Sequence, residues 1–121
     1  MANILIIDDS VMSRNKLKKI LDSSDHTVVG EAQDGVEGLA KFKKLSPDLV
    51  TLDVTMPNMD GLECLREILA EKSDAKVVMI TALGKGDTML EALDAGAADY
   101  ITKPFEDAKV LGVIAGALEQ G

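Results

Sequence analysis

The sequence predicts a doubly wound α/β domain, a five-stranded parallel sheet with five surrounding helices. Three observations lead there. Short apolar runs alternate with longer stretches whose apolar residues recur every three or four positions, the periods of buried strands and of amphipathic helices. Ten such segments follow one another with no linker, internal repeat or low-complexity tract between them. Four of the five apolar runs stop at a polar functional group. Strict alternation requires parallel strands joined by right-handed crossovers, and those crossovers cover both faces of the sheet.

Asn3 to Ile7 is almost wholly apolar, too short for a helix, and ends at Asp8-Asp9-Ser10. Ser10 is an N-cap candidate for a helix with Leu17, Ile20 and Leu21 as its apolar stripe and Arg14, Lys16, Lys18 and Lys19 elsewhere. Thr27 to Ala32 is a more polar strand, suited to a sheet edge. After the turn at Asp34-Gly35, Val36, Leu39, Phe42 and Leu45 mark a helix that Ser46-Pro47 ends. Leu49, Val50 and Leu52 form the central strand, which stops at Asp53. Met56-Pro57-Asn58-Met59-Asp60-Gly61 is turn chemistry, with Asp60 placed to cap the next helix.

That helix carries Leu62, Leu65, Ile68 and Leu69, and a fourth strand from Lys76 to Ile80 ends at Thr81. A glycine-rich loop, Leu83 to Gly86, leads into a helix bearing Met89, Ala92 and Leu93, closed by Gly96. Ala98 to Thr102 is the fifth strand, ending at Lys103-Pro104-Phe105. The last helix, from Asp107 to Leu118, contains Gly112 and Gly116, each costing about 1 kcal/mol relative to Ala, so it depends on docking to the sheet.

Composition narrows the function classes. A chain of 121 residues with 46% apolar content can bury a real core. A formal net charge of −8, from 21 acidic and 13 basic residues, disfavours direct binding to nucleic acid or to an anionic membrane. The single cysteine, Cys64, excludes an intramolecular disulfide and reads as a buried thiol, which fits a reducing cytoplasm. No signal peptide or bilayer-spanning run is visible, so a soluble cytoplasmic protein is expected.

In an open parallel sheet, ligands bind beyond the carboxyl ends of the strands. The chain places Asp8 and Asp9, Asp53, Thr81 and Lys103 at that edge. Carboxylates brought together repel, each pair by about 4 kcal/mol at about 4 Å and an effective dielectric of about 20. Hydrated Mg2+ would offset this, and Lys103 would add a mobile positive charge. A carboxylate beside a cation, an ammonium and a hydroxyl suits phosphoryl transfer through an aspartyl phosphate.

Asp8-Asp9, Asp53 with Met56-Pro57, Thr81-Ala82 and Lys103-Pro104-Phe105 together resemble the response-regulator receiver domain, over the whole chain. The resemblance implies one receiver domain over residues 1–121, of flavodoxin-like strand order 2-1-3-4-5. It implies that Asp53 accepts phosphate from a sensor histidine kinase or a histidine phosphotransfer protein. Asp9, Asp53 and the Thr55 carbonyl would coordinate Mg2+, with Asp8 helping through water, and Thr81 and Lys103 would bind phosphoryl oxygens. The Lys103-Pro104 bond is expected to be cis. Thr81 and Tyr100 would form the switch, and a downstream protein would bind the last two helices and the strand between them. Thr55 and Leu83 stand where the family tunes phosphate lifetime; apolar Leu83 cannot orient water, so slow autodephosphorylation is expected. Such a chain is mainly a signalling switch with autocatalytic phosphoryl transfer.

Each residue also has a plainer reading. Asp8, Asp9 and Asp53 could be turn or capping residues, Thr81 a capping hydroxyl, Tyr100 rim packing, and the basic first helix a solvated face rather than a docking surface. Met12, Met56, Met59, Met79 and Met89 read as core filler and His26 as an exposed loop residue. A chemotaxis-type regulator is the first reading, with a phosphorelay intermediate and a receiver excised from a transcription regulator as alternatives. From other classes, a small Mg2+-dependent aspartyl-phosphate phosphatase resembling haloacid dehalogenases is disfavoured by Ser10, and a flavodoxin-like flavin carrier by the absence of a phosphate loop.

Overall fold

The computed structural model describes residues 2–82 and 86–120. In chain order the elements are β1 (Asn3–Ile7), α1 (Val11–Asp22), β2 (Thr27–Ala32), α2 (Gly35–Leu45), β3 (Leu49–Asp53), α3 (Gly61–Glu71), β4 (Val77–Ala82), α4 (Gly86–Ala95), β5 (Asp99–Lys103) and α5 (Asp107–Glu119). All strand pairs are parallel and the sheet order is β2-β1-β3-β4-β5. Both the fold class and the order agree with expectation. Strands β4 and β5 run one residue later than the sequence suggests at each end, and two at the end of β4.

Alternation along the strands divides the core in two. Ile4, Ile6, Leu49, Val78, Ile80 and Ile101 face α1 and α5. Leu5, Ile7, Val50, Leu52, Val77 and Met79 face α2, α3 and α4. Strand β3 is buried along its whole length, as expected of a central parallel strand, whereas β2 is half-exposed at its edge. The caps are where the sequence puts them. Ser10, Asp34 and Asp60 each accept a backbone N–H of the helix they begin, and Gly96 follows α4 at φ 118°.

Helix α5 docks through Val110, Val113, Ile114 and Ala117. Nothing lies within 4 Å of where a Cβ would stand on Gly112 or Gly116, so both glycines are outside the packed face. Its burial, not its propensity, holds the helix in place.

Three expectations are overturned. Val36 is 54% exposed, because α2 approaches the sheet through Gly35, Gly38 and Phe42. A Cβ on Gly38 would stand 2.5 Å from Ile7 Cδ1, and that close approach rotates Val36 outward. Met12, on the outer side of the first turn of α1, is 83% exposed and is no core filler. His26 is half-buried rather than exposed, and its Nδ1 is enclosed without a hydrogen-bond partner.

Candidate functional site

Strand order reverses between β1 and β3, since β1 continues outward to β2 while β3 leads to β4 and β5. The carboxyl ends of β1 and β3 therefore border the crevice where such sheets bind ligands. Asp8 follows directly on β1 and Asp53 is the last residue of β3, with Ile7 in register with Leu52. By strand alternation Asp8, Asp53 and Lys103 belong to the face covered by α1 and α5, whereas Thr81 and Tyr100 belong to the α4 face.

Asp8 is 1% exposed and Asp53 6%, while Asp9 is open to solvent. One carboxylate oxygen from each of the three lies within 4.8 Å of the others. Lys103 Nζ stands 3.3 Å from Asp8 Oδ2 and 3.7 Å from Asp53 Oδ2. The Asp8 side chain is held from below by the Ser10 N–H, which donates to Oδ1 at 2.8 Å. Burial above all, then the charge of Asp8, pushes the Asp53 carboxyl up to about 7 against the pull of Lys103, with Asp9 adding to the rise.

Gly61 is what lets the helix after this strand begin so close to Asp53. A Cβ there would lie 2.3 Å from the Asp53 carbonyl oxygen and 2.7 Å from Val54 Cα. The Gly61 N–H donates to the Val54 carbonyl at 2.8 Å. Asn58, at φ 68°, donates from its amide to Asp34 and ties the intervening loop to α2.

The donor set fits a small hard cation. It offers oxygen only, Asp8 Oδ2 is buried without a hydrogen-bond partner, and Asp9 leaves one side open for water, which matches Mg2+ better than a softer ion. Thr81 is buried, but its hydroxyl donates to the Ala82 carbonyl at 3.2 Å rather than to a carboxylate. Thr81 and Tyr100 border one groove of about 430 Å³ against α4, and Tyr100 is 39% exposed, facing outward. Thr55 is exposed, and Leu83 lies outside the described residues together with Gly84 and Lys85. The Lys103–Pro104 bond is cis, as expected.

Residues 4–115 match the family model of the response regulator receiver domain. The chain belongs to that family. The receiver domain is 45% identical over 111 residues to the chemotaxis protein CheY of Listeria monocytogenes, covering 92% of this chain and 93% of that one. It is 43% identical to CheY of Bacillus subtilis, covering 92% of each chain. Among solved structures, CheY in the CheX-CheY-BeF3-Mg2+ complex from Borrelia burgdorferi superposes with a TM-score of 0.93 at 40% identity, over 98% of this chain and 90% of that one. This receiver domain is a phosphorylation-activated response regulator homologous to the CheY chemotaxis regulators, and none of the alternative readings is favoured. Receiver domains bind Mg2+ at an acidic pocket, and the acidic cluster here is of that kind. No helix among the described residues is long and apolar enough to cross a membrane.

Sequence reasoning found every acidic residue of the cluster and its lysine. It missed Gly61, Asn58 and the contacts of the basic helix. Arg14 reaches Glu31 and the Asp8 carbonyl, Lys18 pairs with Glu31, and Lys16 donates to the Phe105 carbonyl at 2.5 Å, so much of the basic face is turned toward the protein itself. Cys64 is buried, as expected, and burial pushes its thiol up to about 12.

Proposed function

We propose that Asp53 is the phosphoacceptor of a chemotaxis-type switch, with a sensor histidine kinase or a histidine phosphotransfer protein as donor. The observation that carries the reading is the convergence of Asp8, Asp9 and Asp53 within 4.8 Å, with Lys103 Nζ beside two of them.

Ionised Asp53 attacks the phosphorus of a phosphohistidine, an O–P bond forms as the P–N bond breaks, and the imidazole departs. Asp8, Asp9, Asp53 and the Thr55 carbonyl would hold Mg2+. When bound, it neutralises charge on the acidic cluster and on the phosphoryl oxygens. Lys103 offers an ammonium to those oxygens and Thr81 a hydroxyl, once that hydroxyl leaves the Ala82 carbonyl.

Movement of Thr81 toward the phosphoryl group opens the groove it shares with Tyr100, and the ring turns inward to fill it. The output surface is then α4, β5 and α5, where Leu90, Leu93 and Tyr100 are exposed beside that groove. That the output is binding to a protein is in keeping with the relative that forms a complex with CheX. A shift from about 1% to 99% active needs about 5.5 kcal/mol of differential stabilisation. Leu83, unable to orient water, makes the phosphoprotein long-lived; a Leu83→Glu variant that decays no faster would count against this.

Intact mass after incubation with Mg2+ and acetyl phosphate, beside an Asp53→Asn control, tests the reading. A phosphate adduct absent from the control is expected. An adduct of equal yield in Asp53→Asn would refute it.

A further inference from the structure

Helix α1 carries four cations within six positions, and the most enclosed of them points back at the acidic turn. Arg14, with a side chain 14% exposed, donates from Nη1 to the backbone carbonyl of Asp8 at 2.5 Å and from Nε to Glu31 Oε1 at 3.3 Å. The acceptor Glu31 is itself fixed. Its other oxygen is 3.0 Å from Lys18 Nζ, and Lys41 of α2 donates to its backbone carbonyl. Strand β2, which carries Glu31, is in register with β1, Glu31 lying opposite Ile6. The guanidinium therefore bridges the edge strand and the first residue beyond β1.

We propose that Arg14 is a positioning residue for the cation site, holding the turn that presents Asp8 and Asp9 to Asp53. The inference rests on the reading of that acidic cluster as a Mg2+ site. Asp8 is held at its N–H by the Ala32 carbonyl, at Oδ1 by the Ser10 N–H and at Oδ2 by Lys103, and Arg14 is the side chain that holds its carbonyl. Asp9, exposed and between Asp8 and Ser10, takes its place from the backbone on either side. A planar fork with donors at fixed angles can span a carbonyl and a carboxylate together, which a single ammonium cannot do. Partners of this outer kind orient the groups that bind a metal, and their loss commonly weakens binding 10- to 100-fold, roughly.

The charge of Arg14 faces Glu31 and a carbonyl, not the carboxylates of the site, and this gives the proposal an unambiguous sign. If Arg14 acted only as a nearby positive charge, its removal would tighten cation binding. If it positions the turn, removal weakens cation binding although a repelling charge is gone. If it merely supported the fold, stability would fall and affinity would not change.

The test is calorimetric titration of the metal-free protein with MgCl2 at fixed ionic strength, for wild type, Arg14→Met, Arg14→Lys and Glu31→Gln. Amide hydrogen exchange of Asp9 and Ser10 is measured without metal. The Mg2+ dissociation constant should rise about tenfold in both Arg14 variants, and about threefold in Glu31→Gln, where the guanidinium keeps the Asp8 carbonyl but its carboxylate partner becomes a weaker, neutral acceptor. The Ser10 amide should exchange about tenfold faster in the same order. Unchanged or tighter Mg2+ binding in a folded Arg14→Met or Arg14→Lys would overturn the proposal while leaving the cation site intact. Should those two fail to fold, unchanged affinity in Glu31→Gln overturns it. A wild type that binds no Mg2+ would overturn both the proposal and the reading beneath it.

Discussion

Lys103 Nζ lies 3.3 Å from Asp8 Oδ2, a carboxylate oxygen enclosed by the fold and without a hydrogen-bond partner. The contact is an ion pair that lacks hydrogen-bond alignment, and the lysine also reaches within 3.7 Å of Asp53. One ammonium thus serves two buried acids.

Removing it leaves both acids without their counter-charge. Breaking a fully buried pair costs about 3–5 kcal/mol, but Lys103 is partly open to solvent, so Lys103→Met should lose about 2 kcal/mol at neutral pH. Urea unfolding in chelator reads this directly. Millimolar Mg2+ should restore most of the loss by supplying the missing positive charge at the same carboxylates. A variant as stable as wild type in chelator would mean that the lysine holds no net charge balance in the resting protein.

The Asp53 carboxyl supplies a pH dependence with a definite sign. Its pKa is raised in the folded chain to about 7 from 3.8, chiefly by burial and then by Asp8. Between those two values the folded protein binds more protons than the unfolded one, so stability falls as pH rises through this window. Asp53→Asn removes the penalty. It should match wild type near pH 4 and exceed it, on the order of 3 kcal/mol, near pH 8 in chelator. Mg2+ should narrow the gap at the higher pH and do little at the lower. A constant offset across the range would place the raised affinity for protons elsewhere.

Gly61→Ala tests how closely α3 is seated on the end of β3. The added carbon would meet the Asp53 carbonyl at 2.3 Å, a backbone contact that no rotamer relieves. Relief requires α3 to move away from the end of β3, at a cost of about 3 kcal/mol. The denaturation midpoint should fall with the slope unchanged.

How much of this was legible depended on how local the signal is. Asp8, Asp53 and Lys103 stand where an apolar run meets a polar residue, and Ser10, Asp34 and Asp60 stand just before a helical period, so neighbouring residues were enough. Arg14 and Lys16 read as a basic stripe because their acceptors are remote. Glu31 is 17 residues from Arg14, and Phe105 is 89 from Lys16. Val36 misled for a related reason. Its spacing fits the stripe of α2, but the contact with Ile7 made possible by Gly38 turned the helix, and no period records which small residue meets a neighbouring strand. Tyr100 was placed on the right strand, three residues before Lys103, and its outward orientation depends on the groove beneath it, which forms only when α4 packs.

Thr51 presents a last case, in which the fold carries a defect that can be removed. It sits mid-way along β3, wholly enclosed, and its hydroxyl has no hydrogen-bond partner. Strand alternation places it on the face with Leu49, beneath Asp53 and toward α1 and α5. A buried hydroxyl without a partner costs about 1–3 kcal/mol. Valine has nearly the same shape and no polar atom, so Thr51→Val should stabilise the protein by about 1 kcal/mol, read from the urea midpoint. The Mg2+ affinity of Thr51→Val should stay at the wild-type value if the hydroxyl is only a packing defect. A loss of Mg2+ affinity despite higher stability would instead assign the hydroxyl to the support of Asp53, two residues further along the strand.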